Sequence, residues 1–307
     1  MTGFRRILVP VDFSAPSAAA LRMATRLAGA SGGTLDVVHV YPFRKGISNA
    51  TTALVDFARD GGRASRGAVD RARATLELWR ARAARTRVPV HRHFVLGRPG
   101  DRIPDLIGEL GSDLVVMGTR GYGGVRGVMP GSVASEVVMH VPIPVLVTRG
   151  PSPALHRILV ADDFSRGSGQ ALRAAAAFPH HAGMRVLLLH VIDLRALRYL
   201  GGLGFPVTPD PAALAGERRR LLERLKPRAK TLARAGLKIT SRVLAGDPVR
   251  ELCRAASAFG AGAIVVATHG AGGLRRFVLG TTTQGLLCSA PCPVLAVKPL
   301  DWKPSAR

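Results

Sequence analysis

The sequence predicts an α/β protein that consists of two doubly wound parallel-sheet domains in tandem. Three observations support this prediction. Short apolar runs of strand length alternate with helical patterns, a glycine-rich loop joins one such run to a helix start, and the whole arrangement occurs twice. The 307 residues are enough for two domains of ordinary size, and 47% apolar with 21% charged residues is typical of a globular protein. We expect the domains to span residues 1–149 and 156–301.

The first half is predicted to run βαβαβαβαβ. An apolar strand that begins at Ile7 stops at Asp12, and Ser14 stands where an N-cap belongs before a helical pattern. The later elements are a strand over Thr34–Val40, a helix over Ala64–Arg87, a strand over Val88–Leu96, a helix from Pro99 to about Gly111, a strand over Leu114–Met117, a helix from Ser132 and a strand over Pro144–Thr148. Such alternation implies a parallel sheet with helices on both faces.

The second half repeats the first after a proline-containing linker at residues 148–153. The matching landmarks are Ile7 and Ile158, His39 and His190, Gly97 and Gly246, and Gly131 and Gly280, at offsets of 151, 151, 149 and 149 residues. The nearly constant offset predicts an internal duplication. An insertion over Leu194–Pro211 distinguishes the second copy, and we interpret it either as a loop that covers a site or as an ordinary surface connection.

The glycine-rich loop has the same spacing in both copies. Gly118-Thr119-Arg120-Gly121 is followed by nine residues and then by Gly131-Ser132, and Ala267-Thr268-His269-Gly270 by nine residues and then by Gly280-Thr281. Glycines let the backbone approach an anion closely, and the unpaired N–H groups of a helix start point toward it. The loop therefore predicts a phosphate-binding site.

This arrangement resembles the universal stress protein family, whose nucleotide-binding branch binds ATP. The opening ILVPVDFS, the HV dipeptide of the second strand and the closing PVLV agree with the resemblance, which covers roughly residues 4–149 and 156–299. It implies Rossmann-like domains with strand order 3-2-1-4-5, and bound ATP with or without Mg²⁺. It also implies a role in stress regulation, an internal pseudo-dimer in which Val145–Val147 pair with Val294–Ala296, and an optional homodimer.

The resemblance also assigns site residues. Asp12 and Asp163 would read the adenine or ribose side, and Val40 and Val191 would offer backbone groups to the adenine. The ribose and phosphate cradle would comprise Gly118, Gly121, Gly131 and Ser132 in the first half, and Gly270, Gly280 and Thr281 in the second. Flanking positions of the same site would be Pro10, Val11, Met117, Arg120, Val133, Ala267, His269 and Thr282.

The second copy departs from the pattern at three positions. Ala267 replaces the first glycine, and its methyl group is expected to forbid a positive φ or to intrude on the ligand. Ala161 and Asp162 replace Pro10 and Val11, and a further carboxylate would repel a polyphosphate unless it faces away or holds Mg²⁺. We therefore expect two unequal sites.

Other kinds of chemistry are weakly supported. No Gly-Lys-Ser/Thr sequence occurs, which excludes a Walker-type ATPase, and no catalytic set can be assembled, so we expect at most slow ATP hydrolysis. Cys288 and Cys292 are interpreted as packing residues, His39 and His190 as structural, and no metal site is predicted. Three cysteines and the lack of a signal-peptide pattern predict a cytoplasmic protein without a membrane span.

The net charge of +24, from 44 Lys and Arg against 20 Asp and Glu, favours anionic partners. Basic residues concentrate in the predicted helices at residues 63–87 and 218–234, which read either as solvated outer faces or as a binding surface. A nucleic-acid or anionic-partner module is therefore the alternative function. With only 5% aromatic residues, a stacking platform for single strands is disfavoured.

Overall fold

A computed structural model describes residues 3–41, 63–119, 131–150, 155–178, 183–195, 210–268 and 279–299. The strands are β1 (Arg6–Pro10), β2 (Thr34–Tyr41), β3 (Val90–Leu96), β4 (Leu114–Gly118), β5 (Val145–Thr148), β6 (Arg157–Ala161), β7 (Arg185–Asp193), β8 (Lys238–Gly246), β9 (Ala263–Ala267) and β10 (Val294–Val297). The helices are α1 (Ala15–Ser31), α2 (Arg63–Ala84), α3 (Pro99–Leu110), α4 (Ser132–His140), α5 (Arg166–Ala177), α6 (Pro211–Ala233), α7 (Pro248–Phe259) and α8 (Thr281–Ser289).

All ten strands form one sheet in the order β3-β2-β1-β4-β5-β10-β9-β6-β7-β8. Within each half the neighbouring strands are parallel, because a helix carries the chain back across the sheet between successive strands. The order in each half is 3-2-1-4-5, which confirms the predicted fold class.

The two halves join through their last strands. β5 and β10 run antiparallel, with Val145, Leu146 and Val147 opposite Ala296, Leu295 and Val294, as predicted. Because this pair is antiparallel while each half is parallel inside, the strands of the two halves end at opposite edges of the sheet. Sites built on strand carboxyl ends therefore lie on opposite edges.

Helices cover both faces of the sheet and enclose two apolar cores. One core contains Leu27 of α1, Leu76 of α2, Leu172 of α5 and Leu225 of α6, and we call these helices the α1/α2/α5/α6 layer. The other core includes buried residues of the α3/α4/α7/α8 layer, namely Ile103, Val137, Leu252 and Leu286. Each layer thus holds equivalent helices from both halves.

The ends of several helices follow the predicted signals. Ser14 Oγ accepts a hydrogen bond from Ser17 N at 3.3 Å, so the predicted cap forms, and Ser165 Oγ accepts one from Ser168 N at 3.0 Å at the equivalent helix of the second half. The predicted helix Ala64–Arg87 ends earlier, at Ala84, and Arg87 has a left-handed φ of 62°.

Parts of the predicted loops lie outside the described residues. These are residues 120–130 and 269–278 of the two glycine-rich loops and most of the insertion Leu194–Pro211. Among the described helices none is both long enough and apolar enough to cross a membrane.

Candidate functional site

In the first half, strand ends and a helix start meet at one edge of the sheet. β1 and β4 are neighbours, so Asp12, just after β1, and Gly118, at the end of β4, share this edge. The Gly131 N–H donates to the Thr119 carbonyl at 2.6 Å, which places the start of α4 beside the end of β4. The strand order reverses between β1 and β4, and this is where open α/β sheets bind their ligands.

The equivalent edge of the second half contains a cavity of about 260 Å³. Of the residues assigned to the site from the sequence, Asp163, Val191, Ala267, Gly280, Thr281 and Thr282 line it. Its other lining residues are Ala161, Asp162, Ser168, Leu189, His190, Asp193, Pro248, Leu252, Val266 and Thr283. The structure therefore brings the described second-half residues of the assignment around one space.

Both glycine-rich loops lead into helices that start without a side-chain cap. Gly131 and Gly280 are the N-cap residues of α4 and α8, and no described side chain bonds to the first N–H groups of either helix. Ser14 and Asp247, in contrast, cap α1 and α7. The first-turn N–H groups of α4 and α8 are thus available to an anion in this region of the molecule.

The turn after the first strand is built alike in both halves. Asp12 Oδ1 accepts from the Ser14 N–H at 3.1 Å, and Asp163 Oδ1 accepts from the Ser165 N–H at 3.0 Å. The residue between the aspartate and the serine of each turn, Phe13 or Phe164, has a φ of 64° or 63°. These values lie in the left-handed region that non-glycine residues rarely adopt. The turn holds each carboxylate at the strand end.

A histidine of the second strand supports this turn. His39 Nδ1 lies 2.8 Å from the Val11 carbonyl oxygen, and its ring stacks on Phe13 with centroids 4.4 Å apart. Burial lowers the pKa of His39, so its ring is neutral at pH 7 and Nδ1–H donates to the carbonyl. His190 repeats the contact, with Nδ1 2.6 Å from the Asp162 carbonyl oxygen. This arrangement fits the structural role predicted for both histidines.

A family model described as the universal stress protein family matches residues 3–149 and again residues 154–298. The chain belongs to the universal stress protein family. Because the family model matches the chain twice, the chain contains two such domains in tandem. A universal stress protein of Mycolicibacterium smegmatis is 26% identical over 300 residues, which cover 95% of this chain and 97% of that protein.

Solved universal stress proteins are also similar to this chain. One from Archaeoglobus fulgidus has the same fold, with 18% identity and a TM-score of 0.67 over 95% of this chain and 98% of that one. Another, solved in complex with cAMP, is 23% identical over 48% of this chain and 98% of its own, with a TM-score of 0.35. Its ligand is a property of that protein.

The remaining residues assigned by resemblance to universal stress proteins have varied positions. Val11 packs in the α1/α2/α5/α6 core, whereas Val40 and Met117 lie in the opposite core. Pro10 ends β1, and Ser132 and Val133 form the first turn of α4. Four further assigned residues lie outside the described residues: Arg120, Gly121, His269 and Gly270.

One of the two reasons given for Ala267 was wrong, namely that its methyl group would forbid a positive φ. Gly118, its counterpart, does not have a positive φ. A Cβ on Gly118 would lie 2.8 Å from the Pro16 carbonyl carbon and 2.9 Å from Ser17 N, so a methyl group at this position points at the start of a helix. In the second half Gly167 occupies the position of Pro16, which leaves room for the methyl group of Ala267.

The additional carboxylate of the second half is paired. The side chain of Asp162 is fully buried, and its Oδ2 accepts from Arg228 Nη1 of α6 at 2.9 Å. Its Oδ1 accepts from the Phe164 N–H at 2.7 Å and the Ser168 hydroxyl at 3.1 Å. Because Arg228 neutralises Asp162, the charge of this carboxylate does not exclude an anionic ligand from the cavity.

Sequence reasoning missed several residues at these sites. Pro248 and Leu252 line the cavity, whereas the sequence assigned no binding role to this segment, in which Gly246 is only a landmark of the repeat. In the first half Arg98, at the equivalent helix start, bonds to both oxygens of Glu136 at 2.9 and 3.1 Å. Glu136 is one helical turn beyond Ser132, so this arginine lies close to the start of α4.

Metal and thiol chemistry have little support among the described residues, where no group of three or more His, Cys, Asp or Glu side chains could hold a metal ion. His93 Nε2 lies 2.7 Å from Asp36 Oδ1. Burial raises the pKa of Cys292 to about 12, so this thiol is protonated at neutral pH and is a poor nucleophile.

Proposed function

We propose that this universal stress protein binds ATP, alone or with Mg²⁺, at the carboxyl edge of each half. The observation that carries the proposal is the second-half cavity. It lies at the point of strand-order reversal, and Asp163, Val191 and Gly280 line it together with the first turn of α8. Its volume is close to the lower end of the range for small-molecule sites.

Each part of the nucleotide would meet a different element. The phosphates would accept hydrogen bonds from the first N–H groups of α4 or α8, whose helix dipoles favour negative charge. Asp12 and Asp163 carry acceptors for ribose hydroxyls or the adenine amino group. Val40 and Val191, near the ends of β2 and β7, would offer main-chain groups to the base.

The proposed outcome of binding is regulation rather than catalysis. Among the described residues around the second cavity, His190 Nδ1 is committed to the Asp162 carbonyl and Asp162 to Arg228. Neither group is arranged to activate a water molecule for attack on a phosphate. We infer that the bound nucleotide shifts a partner-binding or conformational equilibrium in a cytoplasmic stress response.

The test is nucleotide content and binding stoichiometry of the full chain. The purified protein is denatured and its supernatant chromatographed for adenine nucleotides, and ATP binding is titrated by calorimetry. Two sites per chain are expected. Gly131→Val and Gly280→Val, which place bulk in one cradle each, are each expected to reduce the stoichiometry to one, and the double variant to zero.

Gly108→Val serves as the matched control, because a Cβ at Gly108 of α3 meets nothing within 4 Å. This variant should bind as the parent protein does. The proposal fails if no adenine nucleotide is released and ATP changes neither the melting temperature nor the calorimetric signal. It fails equally if the double variant still binds two nucleotides.

A further inference from the structure

The positive charge of the helices is concentrated on one side of the sheet. The helices of the α1/α2/α5/α6 layer contain 17 Lys and Arg against four Asp and Glu. The helices of the α3/α4/α7/α8 layer contain three Arg against five Asp and Glu. Because both layers belong to one chain, its overall abundance of arginine does not account for the difference.

Most cations of this layer face solvent. Among its described residues, Arg80, Arg220 and Lys226 pair with acids of their own helices, and Arg228 pairs with Asp162. Other cations of the layer are exposed, and no described acidic group forms an ion pair with them; these include Arg22, Arg82, Arg173, Arg218, Arg219 and Lys230. The layer therefore presents a basic surface that internal ion pairs do not neutralise.

The two most basic helices lie near opposite ends of this surface. α2 packs on β2 and β3, and α6 packs on β7 and β8. By the strand order they are about eight strand spacings apart, or ~38 Å measured along the sheet and less through space because sheets twist. One turn of B-form DNA is about 34 Å long. Arg22 and Arg26 of α1 and Arg173 of α5 lie between them in the layer.

We propose that the α1/α2/α5/α6 layer binds the phosphate backbone of duplex nucleic acid. Of its 17 basic residues 15 are arginine, whose planar group forms two parallel hydrogen bonds with a phosphate. The pairing of β5 with β10 relates the two basic helices by an approximate two-fold axis, and a duplex backbone has matching symmetry. Binding of this kind is insensitive to base sequence and weakens steeply with salt.

Two other anionic partners fit the surface less well. A single strand needs aromatic side chains for its bases, and Trp79, the one aromatic residue of the α1/α2/α5/α6 layer, is half-buried against Phe13. A membrane surface needs an apolar face beside the basic one, and among the described residues of this layer Leu78 is the one exposed large hydrophobic side chain. The layer is basic without being amphipathic.

The test is fluorescence anisotropy of the full chain with a labelled 24-base-pair duplex of arbitrary sequence, at salt concentrations from 50 to 200 mM. The variant Arg218→Gln/Arg219→Gln/Lys230→Gln removes three charges from α6. Its matched control, Arg102→Gln/Arg250→Gln/Arg254→Gln, removes three charges from the opposite layer. The α6 variant is expected to bind at least about tenfold more weakly, with a log–log salt dependence shallower by about 3, one for each lost phosphate contact.

The control variant is expected to keep the affinity and salt dependence of the parent protein. Equal losses in both variants would overturn the proposal, because they would reflect net charge rather than this surface. The proposal would also be overturned if the protein did not bind the duplex at 50 mM salt, or if it bound a single strand as tightly as the duplex. It would likewise be overturned if phosphatidylserine vesicles displaced the duplex in a competition experiment. Melting curves and ATP titrations of both variants test the fold and the nucleotide sites separately.

Discussion

The two halves of the molecule share one fold, but equivalent contacts in the two halves are made by different pairs of residues. At the contact between the end of the fourth strand and the first helix, the first half pairs Gly118 with Pro16. In the second half the equivalent residues are Ala267 and Gly167. The larger residue is on the helix in the first half and on the strand in the second, and the first helix packs on the fourth strand in both halves.

The contact between the last two helices of each half shows the same exchange. A Cβ on Gly100 of α3 would collide with the Glu136 carboxylate of α4. In the second half Val249 replaces the glycine, and Gly285 replaces the glutamate. A Cβ on Gly285 would lie 2.6 Å from Val249 Cγ2.

A third exchange replaces an apolar contact by an ion pair. Val11 is buried in the first half, and Trp79 of α2 packs edge-on against Phe13 at 5.5 Å. At the equivalent positions of the second half, Asp162 pairs with Arg228, whose guanidinium lies over the Phe164 ring at 5.4 Å. In all three places both residues of the pair differ between the two halves. A residue of one half therefore has to be compared with its counterpart together with the residue that each of them contacts.

Replacing Arg228 by methionine is expected to have the largest effect. It leaves the buried Asp162 carboxylate without its cation, and breaking a buried pair in this way costs about 3–5 kcal/mol of unfolding free energy. The double variant Asp162→Val/Arg228→Trp, which copies Val11 and Trp79, is expected to recover most of that loss. Urea unfolding followed by circular dichroism measures both.

Arg224→Met is the control for this experiment. Arg224 lies over the same Phe164 ring at 4.1 Å but is exposed, so its loss is expected to cost less than about 1 kcal/mol. A double variant as unstable as Arg228→Met would show that the apolar and ionic contacts are not interchangeable.

Gly118→Ala is expected to destabilise the first half by about 1–3 kcal/mol, because the methyl group would lie 2.9 Å from Pro16 Cβ and also close to two backbone atoms of α1. Pro16→Gly costs about 1 kcal/mol by itself, through the greater freedom of the unfolded chain. A double-mutant cycle with these two changes should show a favourable coupling of about 1 kcal/mol or more. Strictly additive losses would mean that Pro16 does not limit the space at Gly118.

Gly100→Val is expected to cost about 1–2 kcal/mol, since the obstacle is the far end of the flexible Glu136 side chain. Moving Glu136 also breaks its contact with Arg98, which is exposed and contributes little. The second change Glu136→Ala should remove most of the cost. Thermal unfolding of the single and double variants decides this, and Gly108→Val, where a Cβ meets nothing within 4 Å, controls for valine in the same helix.

The sequence made the strand order and the pairing of β5 with β10 predictable, because repeated landmarks and a resemblance covering both halves fixed the topology. It placed Asp163 and Gly280 where the structure brings them to one cavity, because parallel strands end at a common edge. The sequence could not predict where the methyl group of Ala267 points, because this direction depends on how closely α5 packs on β9. The sequence also could not predict the ion-pair partner of Asp162. Arg228 is 66 residues away, on a helix whose rotation about its own axis no local pattern specifies.

The smallest expected effect concerns the residues that follow the two central strands, Lys298 after β10 and Arg149 after β5. Lys298 Nζ donates to the Met139 carbonyl of the other half at 2.7 Å, and burial lowers the pKa of Lys298 to about 8. The ordinary value is 10.5, so between these values the unfolded chain binds more protons, and the cost of burying the charge disappears as pH rises.

Lys298→Met is therefore expected to stabilise the protein at pH 7 by about 1 kcal/mol, once the loss of the hydrogen bond to Met139 is subtracted. The advantage should fall through pH 8 and reverse by pH 10, where the parent lysine is already neutral and keeps its hydrogen bond. Arg149→Met is the matched change in the other half, and because arginine stays protonated over this range it should show no such trend. Melting temperatures of the three proteins at pH 7, 8.5 and 10 make the comparison. A Lys298→Met difference that is constant with pH would mean that the lysine keeps its proton in the folded state, as its arginine counterpart does.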